Sequence, residues 1–329
     1  MKRIDIIVPA YNEAEGLDDF YKALCMTIDN LAYDFRILFV DDGSTDSTLE
    51  KCKAIEAADK RVGHIRLSRN FGHQAALTAG LDKAGGDAVI TMDADLEHPP
   101  STIPAFLDAW EKGAMVVTGI RKGQLHVRAF KRISSKGFYA LFNRLSNVPG
   151  TIESADFRLL DRRVVEAIGR MREQSRFLRG MFAWAGFRQA VVQYEQGQRR
   201  VGTPGYTPAK SFKLALEALL SFSRTPLRIS IYLGITVSML AFLYGIYAMA
   251  QYFVFQRALP GWTSLAVLIS FLSGIQLFTI GVLGEYLGQV LEEVKQRPLY
   301  IVEEESLPGE EKQTGNAAHT RGRIRVEDR

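Results

Sequence analysis

Two long runs without a charged residue constrain this chain more than any other feature. No Asp, Glu, Lys or Arg falls between Ile229 and Gln256, and after Arg257 none falls between Ala258 and Gly284. About 20 apolar residues in a helix cross a hydrocarbon core roughly 30 Å thick. The runs therefore read as two transmembrane helices, 229–256 and 263–288, joined by a short hairpin around Arg257, Pro260 and Gly261. Lys210, Lys213, Arg224 and Arg228 precede the first span and Lys295 and Arg297 follow the second, while the hairpin carries only Arg257. Cationic flanks stay on the cytoplasmic side. The expectation is a multi-pass protein of the inner (plasma) membrane, with its N-terminal domain and both termini in the cytoplasm. Segment 209–228 reads as an amphipathic interface helix, with Lys210 and Lys213 beside Phe212, Leu216, Leu219 and Leu220. Segment 289–329 reads as a cytoplasmic C-terminal piece that is polar and charged after Glu303 and ends in a disordered tail. Gly234, Gly245, Gly274, Gly281, Gly284 and Gly288 permit close helix approach, which suits a homo-oligomer packed through the spans.

Residues 1–208 have a different grammar. A short β-branched run at 4–8 and strand-like segments at 35–40, 62–67, 87–92 and 114–118 alternate with helical apolar spacing at 14–28, 48–58, 72–84 and 102–110. That alternation predicts an α/β domain with a doubly wound, mostly parallel, Rossmann-like sheet. The 188–193 run reads as a further strand. Cys25 and Cys52 fall in predicted helices as small hydrophobes of a reducing compartment. Lys+Arg 41 against Asp+Glu 37 leaves no basic footprint for nucleic acid.

Three loops gather at the carboxyl edge of such a sheet, where open α/β folds bind ligands: Tyr11-Asn12-Glu13, Asp41-Asp42-Gly43-Ser44 and Asp93-Ala94-Asp95. Asp93 and Asp95, two apart after a buried strand, can reach one divalent cation, and Mg²⁺ or Mn²⁺ keeps substrate phosphates as further ligands; a solvated acidic turn is the plain alternative. Neither a Gly-x-Gly-x-x-Gly nor a phosphate-loop Gly-Lys-Ser/Thr follows a strand, which excludes the common dinucleotide and NTPase designs. Asp41 or Asp42 can accept from a ribose or base, or cap the next helix. Basic residues arrive later. Residues 128–145 read as an amphipathic interface helix carrying Arg128 and Arg132 among aromatic residues. Arg176 and Arg179, three apart, would share a helix face and clamp a diphosphate. Arg199-Arg200 open a flexible loop that reads as a lid.

Pro9-Ala10-Tyr11-Asn12-Glu13, Val40-Asp41-Asp42-Gly43-Ser44 and Asp93-Ala94-Asp95-Leu96, in this order, resemble the inverting family 2 glycosyltransferases with the GT-A fold. Arg69-Asn70-Phe71-Gly72, Asp156-Phe157-Arg158 and Arg176-Phe177-Leu178-Arg179-Gly180 narrow the resemblance to the polyprenyl-phosphate branch, which holds dolichol-phosphate mannose synthase and the bactoprenol glucosyltransferases. Leu283-Gly284-Glu285-Tyr286-Leu287-Gly288-Gln289 with Arg297-Pro298 resembles the two-span bactoprenol enzymes.

The resemblance implies a membrane-bound transferase that moves a sugar from a nucleotide sugar, UDP-glucose first, to polyprenyl (undecaprenyl) phosphate for cell-envelope glycans. It implies that Pro9, Tyr11, Glu13, Asp42 and, with them, Asp41 and Asp93 hold the nucleotide sugar. Asp93, Asp95 and Glu97 hold Mg²⁺ or Mn²⁺, with Glu97 where relatives often have glutamine. Arg121, Arg132 and Ser135, with Arg128 beside them, meet the lipid phosphate. Asp156, Asp95 and Arg179 form the implied catalytic set, and Arg176 contacts phosphate. Where relatives have Ser-Lys-Tyr in the lid this chain has Pro204-Gly205-Tyr206, so Arg199, Arg200 or Lys210 replaces the missing lysine. GDP-mannose, UDP-galactose or a modified UDP-pentose remains open as donor. A processive polysaccharide synthase would show Gln-x-x-Arg-Trp and more spans, and a non-enzymatic membrane scaffold would have lost the carboxylates.

Overall fold

A computed structural model describes residues 1–122, 156–174, 176–195, 225–253 and 261–309. These form two compact units. One contains the described residues up to 195 together with those from Arg297 onward, and the other those from 225 to 296.

The first unit is an eight-stranded sheet in the order β7-β5-β6-β4-β1-β2-β3-β8. Its centre is β1 (Arg3–Ala10), in which every residue after Arg3 is buried. Such a continuous apolar run is the mark of a strand covered on both faces. β1 pairs in parallel with β2 (Asp34–Asp41) and β4 (Ala88–Thr91), and β2 with β3 (Val62–Leu67). The crossovers are α1 (Leu17–Ile28), α2 (Thr48–Ala58) and α3 (His73–Lys83). Past β4, α4 (Ile103–Glu111) leads to β5 (Val116–Arg121). Then β6 (Arg158–Asp161) inserts antiparallel between β4 and β5, and β7 (Gln189–Tyr194) lies parallel to β5. α5 (Arg162–Gly169) and α6 (Leu178–Trp184) lie between those last two strands in sequence. One core joins Ile4, Ile6 and Val8 of β1 to Phe20 and Leu24 of α1, Phe106 of α4, and Phe157. On the other face α3 approaches so closely that a Cβ on Gly80 would stand 2.2 Å from Ile7 Cγ2.

The sheet is the α/β, Rossmann-like fold expected. Three local expectations need correction. α1 begins at Leu17 rather than near Ala14, because the amides of Asn12, Glu13 and Ala14 are bound instead by Ser44 Oγ, Thr48 Oγ1 and Asp46 Oδ2. Arg176 lies before α6, not on a helix face with Arg179. The polar tail expected after Glu303 does not begin there: β8 (Val302–Ser306) pairs antiparallel with β3. Its three glutamates are tolerated in a strand because Arg66 meets Glu303 at 2.8 Å, Lys53 meets Glu304 at 2.5 Å and Lys83 meets Glu305 at 3.1 Å. A Cβ on Gly63 would come within 2.4 Å of Ser306 O, so the two strands lie in close contact.

The second unit contains two helices packed on one another, α7 (Thr225–Phe253) and α8 (Trp262–Lys295). Both are long and apolar enough to cross a membrane. Their large apolar side chains are outward: Phe242 is 70% exposed, Leu277 70% and Val294 71%. A core helix of a soluble domain buries such groups, so this surface calls for an apolar environment. α8 also runs past the expected end of the span at 288, to Lys295. The expected interface helix at 128–145, residues 209–224 of the second one, the lid and the 310–329 tail lie outside the described residues, and the last four residues of the second, 225–228, belong instead to α7.

Candidate functional site

Because β1, β2 and β4 are parallel, the loops after them leave from one edge. In the first, Tyr11 is half exposed and Asn12 takes the left-handed conformation at φ +55°, from which its Oδ1 accepts from Thr45 N at 2.9 Å. Asparagine tolerates that region better than most residues. The second loop is built around two buried carboxylates. Asp41 Oδ1 accepts from Ser44 N at 3.0 Å. Asp42 accepts from Phe71 N at 2.7 Å through Oδ1 and from Gly72 N at 2.9 Å through Oδ2, so it fastens the Arg69–Gly72 loop to the end of β2. Burial pushes the Asp42 carboxyl up, against the pull of those amides. Directly after them Gly43 adopts φ +67°, and a Cβ there would stand 2.5 Å from the Arg69 carbonyl carbon. Gly43→Ala is therefore expected to cost about 1–3 kcal/mol, the scale of a forced left-handed residue, read as a lower midpoint in urea unfolding.

The third loop follows β4. Asp95 Oδ1 accepts from Glu97 N at 3.0 Å. Burial raises the Asp95 carboxyl above the usual range, and the neighbouring Asp93 and Glu97 charges add to the effect. His98 Nδ1 accepts from Asp93 N at 3.1 Å, and its ring stacks on Phe157 with centroids 5.0 Å apart. Arg121, carried by the last residue of β5, donates to Glu97 Oε2 at 3.0 Å.

Asp156 stands just before β6, 6% exposed, and four donor atoms surround it. Arg179 Nε and Nη2 donate to its two oxygens at 2.9 Å each, Gln74 Nε2 donates at 3.3 Å, and His73 Nε2 lies at 3.4 Å. Burial alone would raise this carboxyl, but the Arg179 and His73 hydrogen bonds outweigh it and hold the group well below the usual carboxylate range. A carboxylate so held stays ionised and is a weak base. Arg158, two residues on, is buried with its guanidinium 5.3 Å from the Phe182 ring centroid, and burial pushes it down to about 10.

The structure thus gathers Tyr11, Glu13, Asp41, Asp42, Asp93, Asp95 and Glu97 on loops of one sheet edge, and it ties Asp156 to Arg179. It does not bring Arg176 to them. Arg176 Nη2 donates to Ile168 O at 2.9 Å and Met171 O at 2.8 Å, so its head satisfies carbonyls at the end of α5. Pro9 is a buried strand residue. Arg128, Arg132, Ser135 and Arg200 lie outside the described residues. Sequence reasoning missed His73, Gln74 and His98. His73 directly follows the Arg69–Gly72 motif and His98 ends the acidic stretch, but no spacing rule singles out either.

Residues 5–169 match the family model Glycosyl transferase family 2, and residues 225–290 match the GtrB C-terminal hairpin. The chain belongs to glycosyl transferase family 2. It is 39% identical to a prophage bactoprenol glucosyl transferase homolog of Escherichia coli over 91% of this chain and 98% of that one. It is likewise 39% identical to the bactoprenol glucosyl transferase of Shigella phage SfV, over 92% and 99%. A Bacillus subtilis protein described as the uncharacterized glycosyltransferase YkcC is 38% identical over 91% and 92%. Among solved structures, glucosyl-3-phosphoglycerate synthase of Mycobacterium tuberculosis is similar at 18% identity over 68% of this chain and 80% of that one, with a TM-score of 0.46, too distant to bear on the site.

This glycosyltransferase has a donor set that fits a hard divalent cation. Among the described residues no group of three His, Cys, Asp or Glu side chains is already arranged around one point. Glu97 is instead engaged with Arg121. Asp93 and Asp95 are two carboxylates of one loop, and one or two carboxylates with substrate phosphates are what Mg²⁺ sites use. Burial, with the Asp93 and Glu97 charges adding to it, holds the Asp95 carboxyl above its usual range, and a nearby cation would favour its ionised form.

Proposed function

We propose that this glycosyltransferase moves a sugar, glucose from UDP-glucose in the first instance, to a polyprenyl phosphate held in a membrane. The observation that carries the acceptor class is the state of Asp156. It is the acidic group beside the site best placed to serve as a base, yet Arg179, Gln74 and His73 all point hydrogen-bond donors at it. An acceptor hydroxyl would need its proton removed. A phosphate monoester, with a second pKa near 6, arrives with its nucleophilic oxygen already charged. The bactoprenol names of the relatives and the match of the hairpin to theirs support the same choice.

In this mechanism a lipid phosphate oxygen attacks the anomeric carbon from the face opposite the departing nucleoside diphosphate, so the configuration inverts. Asp93 and Asp95 would hold Mg²⁺ or Mn²⁺, which supplies charge neutralisation for the leaving diphosphate when bound. The loops around Asn12 and Asp41–Asp42 seat the nucleotide, with Asp42 fixing the 69–72 turn beneath it. Asp156 keeps Arg179 oriented toward phosphate rather than removing a proton. Arg121, released from Glu97, meets the acceptor phosphate. The hairpin spans the inner membrane with the catalytic domain cytoplasmic, and its glycines suit packing against a second copy.

The test is transfer from radiolabelled nucleotide sugars to undecaprenyl phosphate in detergent. Organic-phase label from UDP-glucose, abolished by EDTA and restored by Mg²⁺ or Mn²⁺, is the expected result. Nucleotide binding without label from any donor would overturn the acceptor and favour a membrane scaffold; label from GDP-mannose or a UDP-pentose instead would change only the sugar.

A further inference from the structure

The residues at the start of α3 reach three parts of this site. Phe71 and Gly72, just before it, give their amides to Asp42 on the nucleotide side. His73 opens the helix, and its Nε2 lies 3.6 Å from Asp93 Oδ1 and 3.4 Å from Asp156 Oδ2. Gln74 donates to Asp156 and accepts from Leu178 N at 3.2 Å, the start of the helix that carries Arg179. Four consecutive residues thus join the nucleotide loop, the metal-side carboxylate and the acceptor-side ion pair. His73 is the member that reaches both carboxylates at once. Its Nε2 supports the Asp156 carboxylate through a long contact and still lies within 3.6 Å of Asp93 Oδ1, so one ring spans the two carboxylates. The side chain is 42% exposed.

We propose that His73 is a positioning residue for sugar transfer: its Nε2–H, held between Asp93 and Asp156, sets the separation of the donor diphosphate from the attacking phosphate oxygen. This rests on the reading of the site given above. A group that governs alignment acts on the chemical step, and misplacement by about 1 Å costs about 100-fold in rate. A group that only supports the fold acts on stability, and one that only binds donor acts on KM.

The experiment uses the full chain in detergent as wild type, His73→Ala and His73→Gln. For each, kcat and donor KM for transfer to undecaprenyl phosphate are measured with the melting temperature. Glutamine presents an N–H at a reach close to that of Nε2, without a titrating ring. The expected result is an about 100-fold fall in kcat for His73→Ala, little change in KM or melting temperature, and recovery of most of the loss in His73→Gln. Wild-type kcat in His73→Ala overturns the proposal. So does a loss expressed in KM, or one that His73→Gln shares in full. Should the alanine variant fail to fold, His73→Gln decides alone: near wild-type kcat supports the role, and an about 100-fold loss sinks it. A wild-type protein that makes no lipid-linked sugar is distinguishable from all of these, because then the functional reading itself has failed.

Discussion

Asp93→Asn is expected to lower sugar transfer by about 100–1,000-fold, the scale on which one preorganised electrostatic group is lost. The side chain is about one-third exposed and faces two histidines, His73 at 3.6 Å and His98 at 3.5 Å, so the fold should tolerate the change. The companion is Asp156→Asn, which removes a buried carboxylate whose job is to hold Arg179. If Asp156 orients rather than deprotonates, the asparagine variant keeps measurable activity with a pH profile parallel to wild type. Asp93→Asn should lose Mn²⁺-dependent nucleotide binding as well, read by calorimetry with and without the ion. An Asp156→Asn protein that binds donor and acceptor normally and is dead at every pH would make Asp156 the base after all.

Phe157→Ala is expected to cost about 3–5 kcal/mol, the range for deleting a fully buried aromatic side chain. Phe157 has no exposure and lies 4.6 Å from Phe106, 5.0 Å from His98 and 5.5 Å from Tyr194, centroid to centroid. For a domain of this size each kcal/mol moves the melting temperature by roughly 2–4 °C. The loss should also reach the chemistry, since His98 holds the Asp93 amide while stacked on that ring. Phe157→Leu, which fills most of the cavity but removes the stack, separates the two effects: its stability loss should be smaller than alanine's while transfer still falls.

Local signals carried much of this fold. α2 and β3 occupy the ranges that apolar spacing marks, because Asp46 and Ser47 punctuate the start of one and the other carries Val62, Ile65 and Leu67 with its neighbours close in sequence. The sheet edge was legible too, since three acidic or turn-forming loops each follow a buried strand. What failed depended on partners far along the chain. Glu303–Glu305 reads as solvated charge until Lys53, Arg66 and Lys83 are seen to neutralise it. The Arg176/Arg179 spacing implied one helical face, yet the helix begins only at Leu178, leaving Arg176 to the carbonyls of Ile168 and Met171. His73 carries no pattern of its own; its meaning comes from Asp93 and Asp156, which the sheet brings to it.

The return of the chain to β3 has a topological consequence. β8 hydrogen-bonds into the same sheet that begins with β1, and a sheet cannot be shared across a bilayer. In the membrane reading proposed above, the chain between β7 and β8 must therefore enter and leave from one compartment, so its number of crossings would be even. Two apolar helices are compatible with that parity, which needs no count of lysines and arginines. It also means that stopping the chain after α8 strips an edge from the catalytic sheet. A water-soluble form is better made by excising the hairpin and splicing its ends with a flexible bridge than by truncation.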